Sequence, residues 1–194
     1  MLTAFVGVHL VNHVWAIFGP QAHIDMMDTL RRVYRNPLVE ALLLGAVLVQ
    51  MVSGLKLFAV SRKQLPLSGF DRLHLWSGLY LAVFLLIHVG AILTGRFLLH
   101  LDTNYYFGVA GLATFPFNLF FGPYYGLAIL AFFGHLAAVH QKKMSRSVLG
   151  VPAGGQSWLI LAGGLVIMLV IFYGLTNGFT SVTIPAEYGV LIGK

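Results

Sequence analysis

Histidine is the residue type in this sequence with the most potential for chemistry within an apolar environment. Of the eight histidines, all but His23 lie in or at the edges of apolar stretches, and His74 and His88 bound one of them, HLWSGLYLAVFLLIH. In a helix, a spacing of fourteen residues brings two side chains to nearly the same face, about 21 Å apart along the axis. Two imidazoles so placed suit two sites in opposite halves of a bilayer. For any single buried histidine, a hydrogen bond to a neighbouring helix is an equally good explanation.

The composition predicts an integral membrane protein. The 194 residues are 58% hydrophobic and 9% charged, with a mean hydropathy of +0.85, whereas soluble domains have about 25% charged residues. Cysteine is absent, which excludes disulfides, iron–sulfur clusters, thiolate zinc sites and covalently attached c-type haem. The net charge of +6 lies in short loops between apolar spans, so we do not expect a nucleic-acid partner.

Five stretches approach the length of about 20 apolar residues that crosses about 30 Å of hydrocarbon. They run roughly from Leu2 to Phe18, Leu38 to Val60, Leu73 to Leu93, Phe121 to His140 and Trp158 to Thr176. The first lacks a basic leading region and a cleavage pattern and carries His9, Asn12 and His13, so we predict a retained helix rather than a signal peptide.

The basic loop residues predict the orientation. Those on the N-terminal side are Lys56, Arg62, Lys63, Arg72, Lys142, Lys143 and Arg146, and those on the other side are Arg31, Arg32, Arg35, Arg96 and Lys194. The excess on the N-terminal side predicts that this terminus is cytoplasmic in a multi-pass protein of the bacterial plasma membrane.

Two connecting segments have patterns of their own. In HIDMMDTLRRVYRNP, apolar residues recur at helical spacing between charged ones, which predicts an amphipathic helix on the outer membrane surface that Asn36-Pro37 ends. The segment from Arg96 to Asn118 is long and aromatic, as in a loop that caps a site. We therefore expect an all-α fold: a membrane-embedded five-helix bundle, formed by residues 1–194 as one domain, with an outer interfacial helix between helices one and two.

The depths of the histidines predict pairs. On straight helices, the distances from the inner membrane surface are about 16 Å for His13 and about 21 Å for His88. They are about 10 Å for His9 and about 9 Å for His135. His13 can therefore meet His88 in the outer half, and His135 can meet His9 or His74 in the inner half. Two neutral imidazoles from different helices that face a gap meet the needs of a b-type haem with two axial ligands. A bare zinc or copper ion would need three or four ligands at one depth.

The segments HLVNH, HVGAILTGRFLLHLDTNYYF and HLAAVH resemble the membrane anchors of succinate dehydrogenase and fumarate reductase. They are more similar still to the related haem-type anchors that are fused to some bacterial adenylate cyclases. The resemblance runs from about His9 to His140. It implies a helical bundle with one or two haems b and often a quinone site, in which His13 or His9, His88 and His135 are ligands.

One position departs from this pattern, because Gln50 stands where the relatives carry a histidine in the second helix. Either the inner haem is absent, or His74 or His9 replaces the missing ligand. A depth mismatch of about 6 Å between His74 and His135 on straight helices favours a different role for His74, as an interfacial residue that binds a quinone carbonyl or a propionate. Two haems are nevertheless our prediction, since His9 offers the inner iron another ligand.

The function we expect is that of a b-type cytochrome that carries electrons between quinol or quinone and a partner protein, either alone or as a subunit of a quinone-linked oxidoreductase. A haem- or quinone-binding sensor or anchor without turnover is the alternative, and a ligand-free scaffold is a third. The sequence leaves a homo-oligomer open. Candidate partners for haem propionates are Arg31, Arg32, Arg35 or Arg96 outside and Arg72 or Lys56 inside. Solvated or helix-capping roles are expected for Asp25, Asp28, Glu40, Asp71, Asp102 and Glu187.

Overall fold

The computed structural model describes residues 2–62 and 68–194, and in these ranges the chain is helical, with no strand beyond an isolated bridge between Val148 and Val151. The all-α prediction is confirmed. The helices are α1 (Leu2–Val14), α2 (Pro20–Tyr34), α3 (Pro37–Ser61), α4 (Gly69–Phe97), α5 (Tyr105–Val109), α6 (Asn118–Lys143) and α7 (Ala153–Leu175), with 3₁₀ helices at Trp15–Phe18 and Ala186–Ile192. Lys63, counted above among the basic loop residues, lies outside the described residues.

Four helices, α3, α4, α6 and α7, are long and apolar enough to cross a membrane, which indicates a multi-pass membrane protein. The first apolar segment, Leu2–Phe18, is shorter. Its α-helical part is about 20 Å long and the 3₁₀ part adds about 8 Å, so together they come close to the hydrocarbon thickness. A fifth crossing therefore stays a prediction.

Local sequence explains where the outer helices begin. Gly19 has a φ of 102°, a conformation open to glycine, and Pro20 then occupies the first turn of α2. The Asn36 side chain accepts a hydrogen bond from the backbone N–H of Leu38 at 3.1 Å, and Pro37 follows as the first residue of α3. The predicted break at Asn36-Pro37 is confirmed.

Helix α2 buries one face, on which His23, Met27 and Arg31 recur at intervals of four residues. The predicted helix is confirmed. His23, which lies outside the apolar stretches of the sequence, is nevertheless buried, because α2 begins at Pro20 and turns the His23 ring inward to 2% exposure. Val33, which the sequence pattern placed on the apolar face, is 67% exposed. That exposed apolar side chain is compatible with the predicted membrane surface.

The long helices follow one another around a central space. Helix α3 packs on α4, α4 on α6 and α6 on α7, while α1 packs on both α7 and α3. They surround a cavity of about 1190 Å³. This volume exceeds the range of about 300–1,000 Å³ that is typical of small-molecule sites.

The segment from Arg96 to Asn118, predicted to be a capping loop, contains α5 and is well packed. Tyr105 and Val109 are buried where this segment meets α6, α7 and the Trp15–Phe18 turn, and the Tyr105 hydroxyl donates to the Leu175 carbonyl at 2.9 Å. Residues 103–105, 107 and 108 line one end of the cavity. The segment therefore lies where the sequence analysis expected a cap.

Candidate functional site

The cavity is lined mainly by apolar side chains of α1, α3, α4 and α6, with α2 at one end. Its histidines are His9, His13, His23, His74, His88 and His135. They form two groups, because His74 and His88 belong to one helix and lie about 21 Å apart along its axis. We call these the inner group (His74 and His135) and the outer group (His9, His13, His23 and His88), following the predicted orientation.

Hydrogen bonds connect most of the outer group. His9 and His13 share a hydrogen between Nε2 atoms 3.1 Å apart, and His13 Nδ1 lies 3.3 Å from His23 Nε2. The buried Asn12 side chain donates from Nδ2 to His23 Nε2 at 3.3 Å. His9 thus belongs to the outer group, and the predicted alternative in which it meets His135 is not realised.

His88 lies opposite His9 in this group. Their ring centroids are 6.2 Å apart and their planes meet at 68°. Two imidazoles that bind one metal ion from opposite sides, each at about 2.0 Å, have ring centroids about 6 Å apart. The distance between the His9 and His88 centroids is close to this value. Phe84, one turn earlier on α4, stacks on the His88 ring at 5.1 Å and an angle of 13°.

The inner group brings His74 and His135 together, with ring centroids 4.5 Å apart. The Ser77 hydroxyl lies 3.4 Å from His135 Nδ1, and a Cβ atom added to Gly78 would lie 3.4 Å from His135 Cε1. The separation that the depth comparison gave these two rings is wrong. Both helices extend beyond the predicted ends, α4 back to Gly69 and α6 on to Lys143, so His74 and His135 lie deeper by about 6 Å and about 5 Å. The packing of α4 on α6, which depth along straight helices does not describe, brings the two rings together.

Helix α3 provides the wall without histidine. Gln50, Ser53 and Gly54 line the cavity on this side, so Gln50 is where the sequence analysis placed it. No atom lies within 4 Å of a Cβ added to Gly54, and the cavity is open at that point.

Ion pairs close the outer end. Arg31, whose side chain is 10% exposed, contacts Asp28 at 3.0 Å and Asp102 at 2.9 Å. Arg96 pairs with Glu40, which connects α4 to α3. Solvated or helix-capping roles were expected of Asp28, Glu40 and Asp102. Each of these carboxylates also forms an ion pair with an arginine that lines the cavity.

The inner mouth of the cavity has different cations from those expected. Lys142 lines it and pairs with Asp71 at 2.8 Å, which connects α6 to α4. Arg72 and Lys56, the predicted propionate partners, are exposed and are not among the lining residues. The position of Lys142 in the last turn of α6, two residues beyond His140, was the signal that the sequence analysis did not use.

His23 is a site residue that the sequence analysis missed. Burial, together with the nearby His9 and Arg31, lowers the pKa of His23 to about 4, so the ring is neutral at neutral pH. In the described part of the chain, His23 Nδ1 and Asn12 Oδ1 are buried without a hydrogen-bond partner. Such groups are commonly satisfied by ordered water.

Within residues 2–62 and 68–194, no three histidine, aspartate or glutamate side chains converge closely enough to hold a bare metal ion. The arrangement consists of facing imidazoles along one apolar cavity. In comparisons with protein-family models, curated proteins and solved structures, nothing matches this chain.

Proposed function

We propose that this chain is a membrane-embedded b-type cytochrome, in which histidine pairs at the two ends of the cavity hold haem. His88 with His13 or His9 serves the outer position, and His135 with His74 serves the inner one. The observation that carries the proposal is that these rings, from three different helices, line one apolar cavity in two groups. We expect two haems, one in each group.

The donor set and the walls fit this cofactor. Neutral imidazole nitrogens would be suitable ligands of the haem iron, and the apolar walls would suit the macrocycle. Haem would supply one-electron redox chemistry, while the protein would supply ligation and a dry cavity. Ligation by His13 requires that at least one of its bonds to His9 and His23 breaks, because both of its ring nitrogens are engaged. The His74 and His135 rings, with centroids 4.5 Å apart, would have to separate to hold a metal ion between them.

Neighbouring side chains would orient the ligands. Phe84 stacks on His88, and Ser77 lies within hydrogen-bond distance of His135 Nδ1. Partners of this kind set the ring plane and tautomer of metal-bound histidines. Propionates at the outer end would share Arg31 and Arg96 with the carboxylates that already pair with them.

Quinol or quinone is the proposed small-molecule redox partner, with a second protein as the other partner. A smaller groove of about 300 Å³ lies between α4 and α6 and shares Phe84, Phe120 and Tyr124 with the cavity. A lipid-soluble molecule in this groove would be separated from the cavity by one layer of side chains. In this proposal the protein lies in the bacterial plasma membrane with its N-terminus in the cytoplasm.

The absorption spectrum of the purified protein tests this function. A cytochrome of this type should show low-spin haem b bands, and a pyridine haemochrome assay should give two haems per chain. One haem per chain would show that the inner group does not bind haem. A chain that takes up no haem in cells or on reconstitution would contradict the proposal.

A second measurement distinguishes electron transfer from sensing. We expect a quinol to reduce the haem at a rate compatible with turnover. Haem that dithionite reduces but quinol does not would favour the haem-binding sensor or anchor instead.

A further inference from the structure

The connection between α6 and α7 contains a tight turn that is independent of the cavity. Val148 donates to the Val151 carbonyl at 3.1 Å and Val151 donates back at 2.9 Å, so Leu149 and Gly150 form a two-residue turn. Their φ angles are 50° and 78°, both positive, as in a type I′ turn.

Leu149 is an unusual residue for this position in two respects. Type I′ turns favour asparagine, aspartate or glycine, because other side chains are strained at positive φ. The Leu149 side chain is also 99% exposed, and that of the adjacent Val148 is 47% exposed. Neither local conformation nor packing within the chain accounts for leucine here, so a contact outside the chain is the remaining physical reason.

The side chain of Gln156 in α7 holds the turn in place. The Gln156 side chain donates from Nε2 to the carbonyls of Arg146 at 3.0 Å and Val151 at 2.8 Å. Its Oε1 atom accepts from His140 Nε2 at 2.9 Å. The apolar tip is therefore presented on a fixed support at the ends of two helices.

The position of the turn along the chain keeps it close to the membrane. It lies between the end of α6 at Lys143 and the start of α7 at Ala153, and both helices are candidate membrane spans. Trp158, 66% exposed and packed against Phe70 at 6.1 Å, lies about 8 Å into α7, at a level typical of interfacial aromatic residues. The headgroup region of one leaflet is about 5–8 Å thick, so the turn is within its reach.

Two exposed basic residues precede the turn along the chain, and one of them, Lys143, also lines the inner mouth of the cavity. Lys143 and Arg146 are exposed, and among the residues that the structure describes no carboxylate lies within 4.0 Å of either. Lys142, by contrast, is paired with Asp71. Apolar side chains beside unpaired basic residues are the combination that binds an anionic lipid surface.

We propose that the 148–151 turn is an interfacial anchor that inserts Leu149 and Val148 among the lipid acyl chains while Lys143 and Arg146 contact anionic headgroups. A lipid surface is favoured over a protein partner because the chain enters and leaves the membrane on both sides of this short connection. The anchor fixes the inner ends of α6 and α7 relative to the bilayer.

The absence of cysteine allows a direct test in the full chain. L149C is labelled with an environment-sensitive fluorophore and reconstituted into phosphatidylcholine vesicles with brominated acyl chains, with or without phosphatidylglycerol. S147C, an exposed position just before the turn, is the matched control. We expect a blue-shifted emission and severalfold greater quenching by the brominated chains at position 149 than at position 147.

A second part of the experiment tests whether Lys143 and Arg146 contact anionic headgroups. Adding K143Q and R146Q to L149C should remove the increase in quenching that phosphatidylglycerol causes, since each basic residue near the surface changes affinity for anionic lipid about fivefold. Equal quenching at positions 149 and 147 would overturn the proposal. Shielding of position 149 that appears only when a membrane protein extract is added would identify a protein partner and overturn it as well. None of these readouts depends on haem.

Discussion

Within the described residues, His88 is the outer-group imidazole that has no hydrogen bond to another histidine, although both it and His9 stack on a phenylalanine of their own helix. Phe84 stacks on its ring, whereas His9, His13 and His23 are connected to one another by hydrogen bonds. A ring that is oriented by stacking keeps both nitrogens available for other partners. This makes His88 the best preorganised ligand candidate of the outer group.

Replacing His88 with alanine should remove the outer haem, because an axial ligand and its oriented ring are both lost. We expect less haem per polypeptide and a weaker low-spin spectrum, and the same direction of change for His13→Ala. His100→Asn is the matched control, because His100 is exposed outside the cavity and asparagine tolerates its φ of 52°. Unchanged haem content and spectrum in both cavity variants would contradict the assignment.

Gly78 offers a test of the inner group alone. A Cβ atom there would already contact His135 at 3.4 Å, so the two methyl groups of valine would displace the ring. Gly78→Val should therefore halve the haem content if two haems are bound. Gly90→Val on the same helix is the control, since no atom lies within 4 Å of a Cβ at Gly90. A full haem complement in Gly78→Val would show that His135 is not a ligand.

At the scale of elements, the backbone of α7 lies directly against the backbone of the 3₁₀ helix at Trp15–Phe18. A Cβ atom at Gly174 would lie 2.7 Å from the backbone C of Ala16 and the backbone N of Ile17. Backbone atoms cannot move aside as a flexible side chain does. Glycine is therefore what allows the first apolar segment to close the ring of helices.

Gly174→Ala should destabilise the fold by about 1–3 kcal/mol, the usual cost of overpacking a close contact. Thermal unfolding in detergent, followed by circular dichroism, measures the effect. Gly163→Ala in the same helix has open space around the new methyl group and should leave the midpoint unchanged or raise it. Equal midpoints for the two variants would show that the α7 contact does not limit stability.

The ion pair between Arg31 and Asp102 connects α2 to the segment that covers the outer end of the cavity. Asp102→Asn should cost about 1–2 kcal/mol, because a mostly buried guanidinium loses a charged partner while Asp102 itself is half exposed. Asp28→Asn, which leaves the contact between elements intact, should cost less. Limited proteolysis after residue 98 would report the loosening, and equal cleavage in both variants would count against this connection.

At the scale of the whole molecule, the orientation in the membrane decides which group of histidines is inner. The basic-residue bias predicts that Ser145 is cytoplasmic and Ser181 is outside. In single-cysteine variants, S181C should react with a membrane-impermeant maleimide in intact cells, and S145C only after permeabilisation. Both serines are exposed, so accessibility within the protein does not confound the comparison. The reverse pattern would exchange the inner and outer labels.

The sequence alone determined the helical, membrane-embedded character and several helix boundaries. Apolar length and low charge are properties of the chain itself, and Gly19-Pro20 and Asn36-Pro37 act through local backbone geometry. It also identified Gln50, His88 and His135 as residues of a common site, His88 and His135 through their depth along each helix and all of them through the resemblance to haem-type membrane anchors.

Only the tertiary structure decided which faces meet. It brought His23 to His13, joined His74 to His135, kept His9 in the outer group and paired Arg31 with Asp102. These contacts depend on where each helix starts and on how α2, α4 and α6 pack. Periodicity fixes a side chain relative to its own helix axis, and it carries no information about the axis that lies opposite.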